Sequence, residues 1–444
     1  MAAYKLGIIS LGCDKNRVDT EIILGKLRDK FELTSNAKEA DIIVVNTCGF
    51  IESSKQESIN TILEMAEYKK RYNCKVLIAT GCLTQRYKKE LQELMPEIDI
   101  ILGVNDYDKM ALAIEKFYND REKIFLCSDN NVINEGERVI TTGNNYAYVR
   151  ISEGCNNNCT YCAIPKIRGP YRSRKMENII SEIKNLAKQG IEEIILIAQD
   201  TTMYGIDLYG EKYLPKLINE ISKIENIKWI RLLYAYPEEI TDELIDVIAN
   251  NQKVCKYIDM PIQHISNKVL KRMGRRGNKE KIETVIQKLQ SKVKDIALRT
   301  TFIVGFPGET DEDFQELLAF VEKTKFTHMG VFQYSQEEGT AAAKMKDIIS
   351  KDIMRKREEE IMLLQQKVSL ENNLSKIGKV YNTLIEKIED NYFIGRTEHM
   401  APEIDGLIYV DIKDNIKVGS FVPVRVYEAD EYDLKGEVYY ESGK

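Results

Sequence analysis

Cys155, Cys159 and Cys162 stand in the run Cys-Asn-Asn-Asn-Cys-Thr-Tyr-Cys, three thiols on one short loop. Thiolates at this spacing can hold three corners of a cubic 4Fe–4S cluster and leave the fourth iron without a protein ligand. An open iron can chelate a small molecule and pass it one electron. The plain alternative is three unrelated buried thiols, because cysteine also packs as a small apolar side chain. Three more cysteines share a different grammar. Residues 5–13, 40–48 and 75–82 each read as a short, apolar, β-branched strand ending in a cysteine, at Cys13, Cys48 and Cys82. Helical segments follow each strand, at 16–28, 54–70 and 84–94, so the order is βαβα and the strands are parallel with right-handed crossovers. Such strands end on one edge, where ligands bind, and the three cysteines are expected to meet there as a second three-thiolate site. Any one of them could instead be structural. Cys74, Cys127 and Cys255 show neither pattern and read as ordinary thiols.

The elements that position these residues fall into segments. A chain of 444 residues is too long for one ordinary domain. Its class reads as α/β, with an N-terminal parallel α/β domain over residues 1–127. A linker rich in Asn, Gly, Asp and Thr follows at 128–146. Over 147–374, strand candidates at 148–152, 193–198, 229–233, 257–261, 297–304 and 330–334 alternate with helices such as 178–189, 242–250 and 279–293. Six βα units of this length suggest a partial, TIM-like (α/β)6 barrel, with chemistry at the strand C-termini and the cysteine loop in its mouth. Residues 345–374 read as a charged helix. Residues 378–444 turn β-rich, with short strands at 380–388, 392–396, 406–410, 421–427 and 434–440, a small all-β barrel. No apolar run approaches a bilayer span, and residues 1–13 lack a signal peptide's features, so the expectation is a cytoplasmic protein without a membrane partner. Nine cysteines in such a chain argue for metal or redox chemistry over a disulfide framework.

The loop spacing CxxxCxxC resembles that of the radical S-adenosylmethionine (SAM) enzymes, in which the open iron binds the methionine moiety of SAM. On that resemblance Tyr161 matches an aromatic packed near the adenine. Gly305 and Gly308, in Thr-Phe-Ile-Val-Gly-Phe-Pro-Gly-Glu at 301–309, match a glycine motif on the adenine side. The simpler account of these glycines is a strand-to-helix turn. Gln199 and Arg231 occupy strand-end positions that often meet the SAM amino group, carboxylate or ribose.

Two cysteine triplets in this order, with the β-rich tail, resemble the methylthiotransferase family over essentially the whole chain. The motifs Ser-Leu-Gly-Cys-Asp-Lys-Asn-Arg-Val-Asp at 10–19, Asn-Thr-Cys-Gly-Phe-Ile-Glu-Ser at 46–53 and Cys-Ala-Ile-Pro-Lys-Ile-Arg-Gly-Pro-Tyr-Arg-Ser-Arg at 162–174 are similar to its RimO type. Asp14 departs from the proline usual there. The resemblance implies two 4Fe–4S clusters, with Cys155, Cys159 and Cys162 holding the one that cleaves SAM and Cys13, Cys48 and Cys82 the auxiliary one. It also implies a TRAM domain at the tail, an electron donor such as flavodoxin or ferredoxin, and methylthiolation of an aspartate β-carbon in small-subunit ribosomal protein number twelve.

The tail separates substrates. TRAM domains of tRNA-modifying relatives bind RNA, which calls for a surplus of Lys and Arg. Residues 378–444 carry 14 acidic and 8 basic residues, a balance of −6 that equals the net charge of the whole chain. That suits a basic protein better than phosphate, although tail charge can also serve solubility alone. The cluster Arg168, Arg172, Arg174 and Lys175 could grip RNA, but because it abuts the cysteine loop it reads as a carboxylate clamp near SAM or substrate. The run 271–276 reads as a solvated helix end. The rival readings are a tRNA methylthiotransferase of the MiaB kind, acting on an adenosine, and a non-catalytic iron–sulfur carrier.

Overall fold

A computed structural model describes residues 4–143, 145–412 and 416–440. Residues 1–3 and 441–444 of the expected end segments, Asn144 of the expected linker and residues 413–415 of the tail lie outside them.

The first sheet is built from β1 (Lys5–Ser10), α1 (Asp14–Leu27), β2 (Glu32–Leu33), β3 (Ile42–Thr47), α2 (Glu52–Arg71), β4 (Val76–Gly81), α3 (Cys82–Leu94), β5 (Ile100–Leu102), α4 (Met110–Asp120) and β6 (Ile124–Leu126). Its six strands are parallel in the order β2-β1-β3-β4-β5-β6. β3 (IIVVNT) and β4 (VLIATG) are buried at every position, as helices on both faces of a parallel sheet require. Leu6, Ile23, Val44 and Ile78 fill one face, and Ile43, Val45, Ile62 and Leu77 the other. β2, β5 and β6 extend the three expected strands; at two or three residues each they are too short to show a period.

The second sheet system begins at β7 (Tyr146–Arg150). A ribbon of β8 (Ser152–Glu153) and β9 (Arg172–Ser173) encloses the cysteine loop and α5 (Ile164–Arg168). Then come α6 (Met176–Lys188), β10 (Glu193–Ile197), α7 (Ile206–Tyr209), α8 (Leu214–Ser222), β11 (Trp229–Leu232), α9 (Asp242–Asn250), β12 (Tyr257–Gln263), α10 (Asn267–Arg272), α11 (Lys279–Lys292), β13 (Ala297–Val304), α12 (Asp311–Thr324), β14 (His328–Gln333) and α13 (Lys351–Leu374). The six parallel strands form two halves, β7-β10-β11 and β12-β13-β14. An Ile230–Val254 bridge and a 3.0 Å bond from the Tyr234 N–H to the Asp259 carboxylate span the seam. The expected barrel wall is present and divided at this seam, where only scattered backbone bonds cross, among them the Cys255 N–H to the Ile230 carbonyl (3.0 Å) and the Ala235 N–H to the Asp259 carbonyl (2.9 Å).

β15 (Val380–Glu389), β16 (Tyr392–Thr397), β17 (Ile408–Asp411), β18 (Phe421–Ala429) and β19 (Leu434–Val438) close a barrel in the order β15-β16-β17-β19-β18. Closure removes sheet edges. Buried ions fasten it to the larger sheet: Glu193 accepts from Arg231 at 2.7 Å and Arg396 at 2.6 Å, and Tyr257 donates to Asp405 at 2.8 Å. The expected linker is packed rather than free. Thr141 donates its N–H and hydroxyl to the Glu21 carboxylate at 2.8 and 2.9 Å, and Asn134 donates to the Val104 carbonyl at 2.7 Å.

Candidate functional site

Cys13 caps α1 just after β1, Cys48 follows β3, and Cys82 opens α3 directly after β4. These strands are neighbours, and the strand order reverses between β1 and β3, so the loops after those strands diverge and leave a crevice at their carboxyl ends. Close approach there demands glycine. At Gly12 (φ +84°) a Cβ would lie 2.7 Å from Cys48 Cβ, and at Gly81 (φ +102°) it would lie 2.4 Å from Asn46 Oδ1. Two asparagines bind the loops together. Asn16 Nδ2 donates to the carbonyls of Leu11 (2.7 Å) and Thr47 (3.0 Å), and Asn46 Nδ2 donates to the Asn16 carbonyl (2.9 Å). Cys48 and Cys82 are buried, whereas Cys13 is exposed on a cavity of about 300 Å³ that Asp14, Arg17, Thr141 and Glu403 also line.

The loop triplet hangs from the end of β8. Its backbone is pinned by the Thr160 N–H to the Met273 carbonyl (2.9 Å), the Thr160 hydroxyl to the Arg272 carbonyl (2.8 Å) and the Ala342 N–H to the Thr160 carbonyl (2.8 Å). The N–H groups of Asn157 and Ile164 point at the sulfurs of Cys155 (3.5 Å) and Cys162 (3.4 Å). The expected solvated run 271–276 therefore packs against the loop: Arg276 donates to the Asn156 carbonyl at 3.2 Å, and Arg275 stacks 4.1 Å over the Tyr236 ring. Tyr236 in turn places its hydroxyl 3.7 Å from Cys159 Sγ.

A buried ionic network joins the two triplets. Asp19, fully buried on α1, accepts from Arg168 at 2.6 Å, from Tyr107 at 3.2 Å and from Arg150. Arg168 also donates to Asn16 Oδ1 (3.0 Å) and to Cys82 Sγ (3.2 Å). Glu153, two residues before Cys155, accepts from Arg150 (2.9 Å) and Gln199 (3.0 Å). Cys82 packs against Ala163, the residue after Cys162. Arg168 was expected at a substrate carboxylate; its guanidinium is instead consumed at the junction. Arg174 is likewise committed, to Glu135 and Glu182.

Burial raises the Cys155 thiol to about 11, with Asp200 and Cys159 adding to the rise. Burial also carries Cys162 and Cys82 to about 12, with neighbouring thiols adding in each case and Arg168 opposing at Cys82. Thiols held this high become thiolates when a metal takes the proton's place. Among the described residues, no three or more His, Cys, Asp or Glu side chains gather to hold a single metal ion. The case for a cluster at the loop triplet therefore rests on unpaired thiols and on N–H groups aimed at two of its sulfurs, an arrangement that suits iron–sulfur ligands, and at the other triplet on unpaired thiols at neighbouring strand ends alone. Gln199 Oε1 and Arg275 Nη1 are buried without a partner near the loop triplet, and the ammonium and carboxylate of an amino acid would supply what each lacks.

The remaining expected contacts sort as follows. Tyr161 stands edge-on to Phe306, centroids 6.4 Å apart, and ties the loop to the turn after β13. Gly305 (φ +72°) and Gly308 (φ +81°) adopt the turn, but side chains fill the space beside them: a Cβ would meet Met354 Cγ at 2.3 Å and Arg272 Cζ at 2.7 Å. Arg231, expected at SAM, is turned toward the small barrel, where it is paired with Glu193 and donates to the Glu398 carbonyl at 2.7 Å. Its charge is already balanced there, so it leaves the cofactor set. Arg275 was hidden in sequence because a basic run at a helix end looks solvated. Cys74, Cys127 and Cys255 sit outside both triplets, all raised by burial.

Three family models match the chain: the Radical SAM superfamily over residues 149–321, the Uncharacterized protein family UPF0004 over 5–103, and the TRAM domain over 377–438. Curated relatives named ribosomal protein uS12 methylthiotransferase RimO align over their full lengths and all of this chain. They include proteins of Clostridium botulinum (strain Okra / Type B1) at 59% identity, Clostridium acetobutylicum at 58% and Clostridium kluyveri at 57%. Among solved structures, the radical SAM methyltransferase TsrM from Kitasatospora setae, with cobalamin and a [4Fe-4S] cluster bound, aligns at a TM-score of 0.57 and 15% identity, covering 75% of each chain. The cobalamin-dependent radical enzyme OxsB aligns at 0.50 and 14% identity, covering 82% of this chain and 55% of that one. At such identities these two speak for the fold alone.

Proposed function

The chain belongs to the RimO family of ribosomal protein uS12 methylthiotransferases, and we propose that it adds a methylthio group to the β-carbon of an aspartate of uS12. It is an enzyme, a radical SAM methylthiotransferase. Cys155, Cys159 and Cys162 would hold one 4Fe–4S cluster, with SAM bound beside it, and Cys13, Cys48 and Cys82 would hold a second. Bound there, these groups supply one-electron chemistry able to take hydrogen from an unactivated carbon, and a sulfur to replace it.

The protein's own contribution is placement. Asn16 and Asn46 clamp the loops of the second triplet. Asp19 and Glu153 hold Arg150 and Arg168 between the triplets. Tyr161, Gln199 and Arg275 surround the loop on the SAM side, while Gly305 and Gly308 shape the turn against which Tyr161 packs through Phe306. A low-potential donor such as flavodoxin or ferredoxin supplies the electron, and the cytoplasm, where ribosomal proteins are made, is the place of action. No helix among the described residues is long and apolar enough to cross a membrane.

The observation that carries this reading is the buried junction where Cys82 of one triplet accepts from Arg168 and shares an apolar cluster with Ala163, the residue after Cys162 of the other, since a sulfur on one must reach a carbon opened at the other. Intact mass spectrometry of uS12 from cells with and without the gene tests it. A gene-dependent methylthio group in place of hydrogen, located by fragmentation to one aspartate, is the expected result. An unchanged uS12 with a missing tRNA methylthio nucleoside would transfer the assignment to tRNA.

A further inference from the structure

Attack at the β-carbon of an aspartate requires the side chain to be held by its carboxylate, the only group that tells aspartate from asparagine. A carboxylate entering a water-poor site needs a cation or several converging donors. Most cations near the triplets are spent. Arg168 serves Asp19, Asn16 and Cys82, and Arg150 serves Asp19, Glu153 and the Asn134 carbonyl; Arg172, with its Nε unpartnered, turns its terminal nitrogens back onto the carbonyls of Arg168 and Pro170 in its own segment. Arg275 is held through Nη2 by Glu238 and the Pro261 carbonyl, and its unpartnered Nη1 is the group assigned above to the carboxylate of SAM.

Lys15 is different. It is 9% exposed, and its ammonium lies 3.2 Å from the centroid of the Tyr234 ring. Its one ionic contact is a long one, 3.4 Å to Asp14 Oδ1. That carboxylate already accepts the Lys15 N–H at 2.9 Å and the Tyr234 hydroxyl at 3.1 Å, in the first turn of α1, where the helix dipole favours it. An ammonium has three donors, so two of them meet no acceptor among the described residues. A ring face steadies a cation without neutralising it. The position is central as well. Lys15 is two residues past Cys13, and Tyr234 is two residues before Tyr236, which touches Cys159.

We infer that Lys15 binds the side-chain carboxylate of the target aspartate and sets the enzyme's preference for aspartate over asparagine. The inference rests on the reading of uS12 as substrate. The test uses anaerobically reconstituted full-length enzyme, uS12, and uS12 with the modified aspartate changed to asparagine, with equilibrium binding as readout. The wild type should bind the aspartate form roughly tenfold or more tightly than the asparagine form, the span of a charged hydrogen bond. Lys15→Met should bind the two forms about equally, through loss of affinity for the aspartate form alone, and Lys15→Arg should restore the preference. A Lys15→Met enzyme that keeps the wild-type preference overturns the inference while leaving the reaction intact. A wild-type enzyme that binds and modifies neither form overturns the functional reading itself, and the inference with it.

Discussion

Asp19 is a single carboxylate that faces two buried guanidiniums, Arg150 and Arg168, across the junction of the two sheet systems. Removing one partner of a buried charge group leaves the others uncompensated, at a cost of about 3–5 kcal/mol. Asp19→Asn should therefore lower the unfolding free energy by that order, read as a lower denaturant midpoint at constant slope; a midpoint equal to wild type would mean water relieves the stranded arginines. The cysteines give a cleaner separation. On the proposed two-cluster reading, Cys159→Ala should lose roughly half of the bound iron and all reductive SAM cleavage. Cys48→Ala should lose a similar share of iron and the methylthio product while SAM is still cleaved, and equal loss of cleavage in both variants would sink the division of labour. The places of the six thiols, on one loop and at three strand ends, were readable because a short spacing and a repeated strand ending each carry chemical meaning. The partners of Arg168 were not, because Asp19 and Asn16 lie 149 and 152 residues away along the chain and a basic cluster beside a cysteine loop suggests a ligand clamp as readily as a junction.

The elements around the second triplet explain both what periodicity reveals and what it conceals. β1, β3 and β4 were legible as β-branched runs, and so were the helices after them. The two-residue β2 and the three-residue β5 and β6 carry no period, and the seam between β11 and β12 rests on a few backbone bonds and the Asp259 side chain, none of which a hydrophobic pattern encodes. Gly305 and Gly308 were legible as turns but not as the seats of Met354 and Arg272. At Gly12, φ +84° and the 2.7 Å approach to Cys48 Cβ act together. Gly12→Ala should destabilise by more than about 1 kcal/mol and reduce iron at the second triplet, as read by iron analysis beside the melting curve. The small barrel adds a dependence on pH. Burial, with Lys376, Arg231 and His328 nearby, lowers His399 to about 3, and burial lowers His264 to about 3 as well. Both are neutral in the fold and take up protons on unfolding, so their stabilisation is present above about 6.5 and is lost as pH falls toward 3. Glu309, raised by burial to about 7 against the pull of Arg357, opposes them between about 4.5 and 7. Burial lowers His328 as well and raises Glu21, Asp200 and Asp259 in the sense of Glu309; the two large histidine shifts lead, and the thermal midpoint should climb from pH 5 to about 6.5. His399→Gln should flatten that climb; an unaltered profile would rule out His399 as its source.

At the scale of the whole molecule, charge is unevenly placed: the net −6 of residues 378–444 equals that of the entire chain, so the rest is neutral on balance. Glu389, Asp390, Glu428 and Asp430 are exposed on the small barrel, and the same barrel sends Glu403 to the cavity on which Cys13 opens, where it pairs with Arg17 at 2.8 Å. A negative module beside the mouth of the second triplet repels a polyphosphate and attracts a basic protein, mainly by speeding encounter. That field should show itself as salt dependence. The association rate with uS12 should fall as ionic strength rises from about 0.01 to 1 M, over which the screening length shrinks from roughly 30 to 3 Å. Asp390→Lys with Asp430→Lys should slow association at low salt and converge with wild type at high salt, whereas total tRNA should bind weakly throughout. A doubly substituted enzyme as fast as wild type at low salt would assign the acidic surface to solubility alone, and tRNA binding that strengthens as salt is withdrawn would show that the small barrel keeps an RNA-binding role despite its charge.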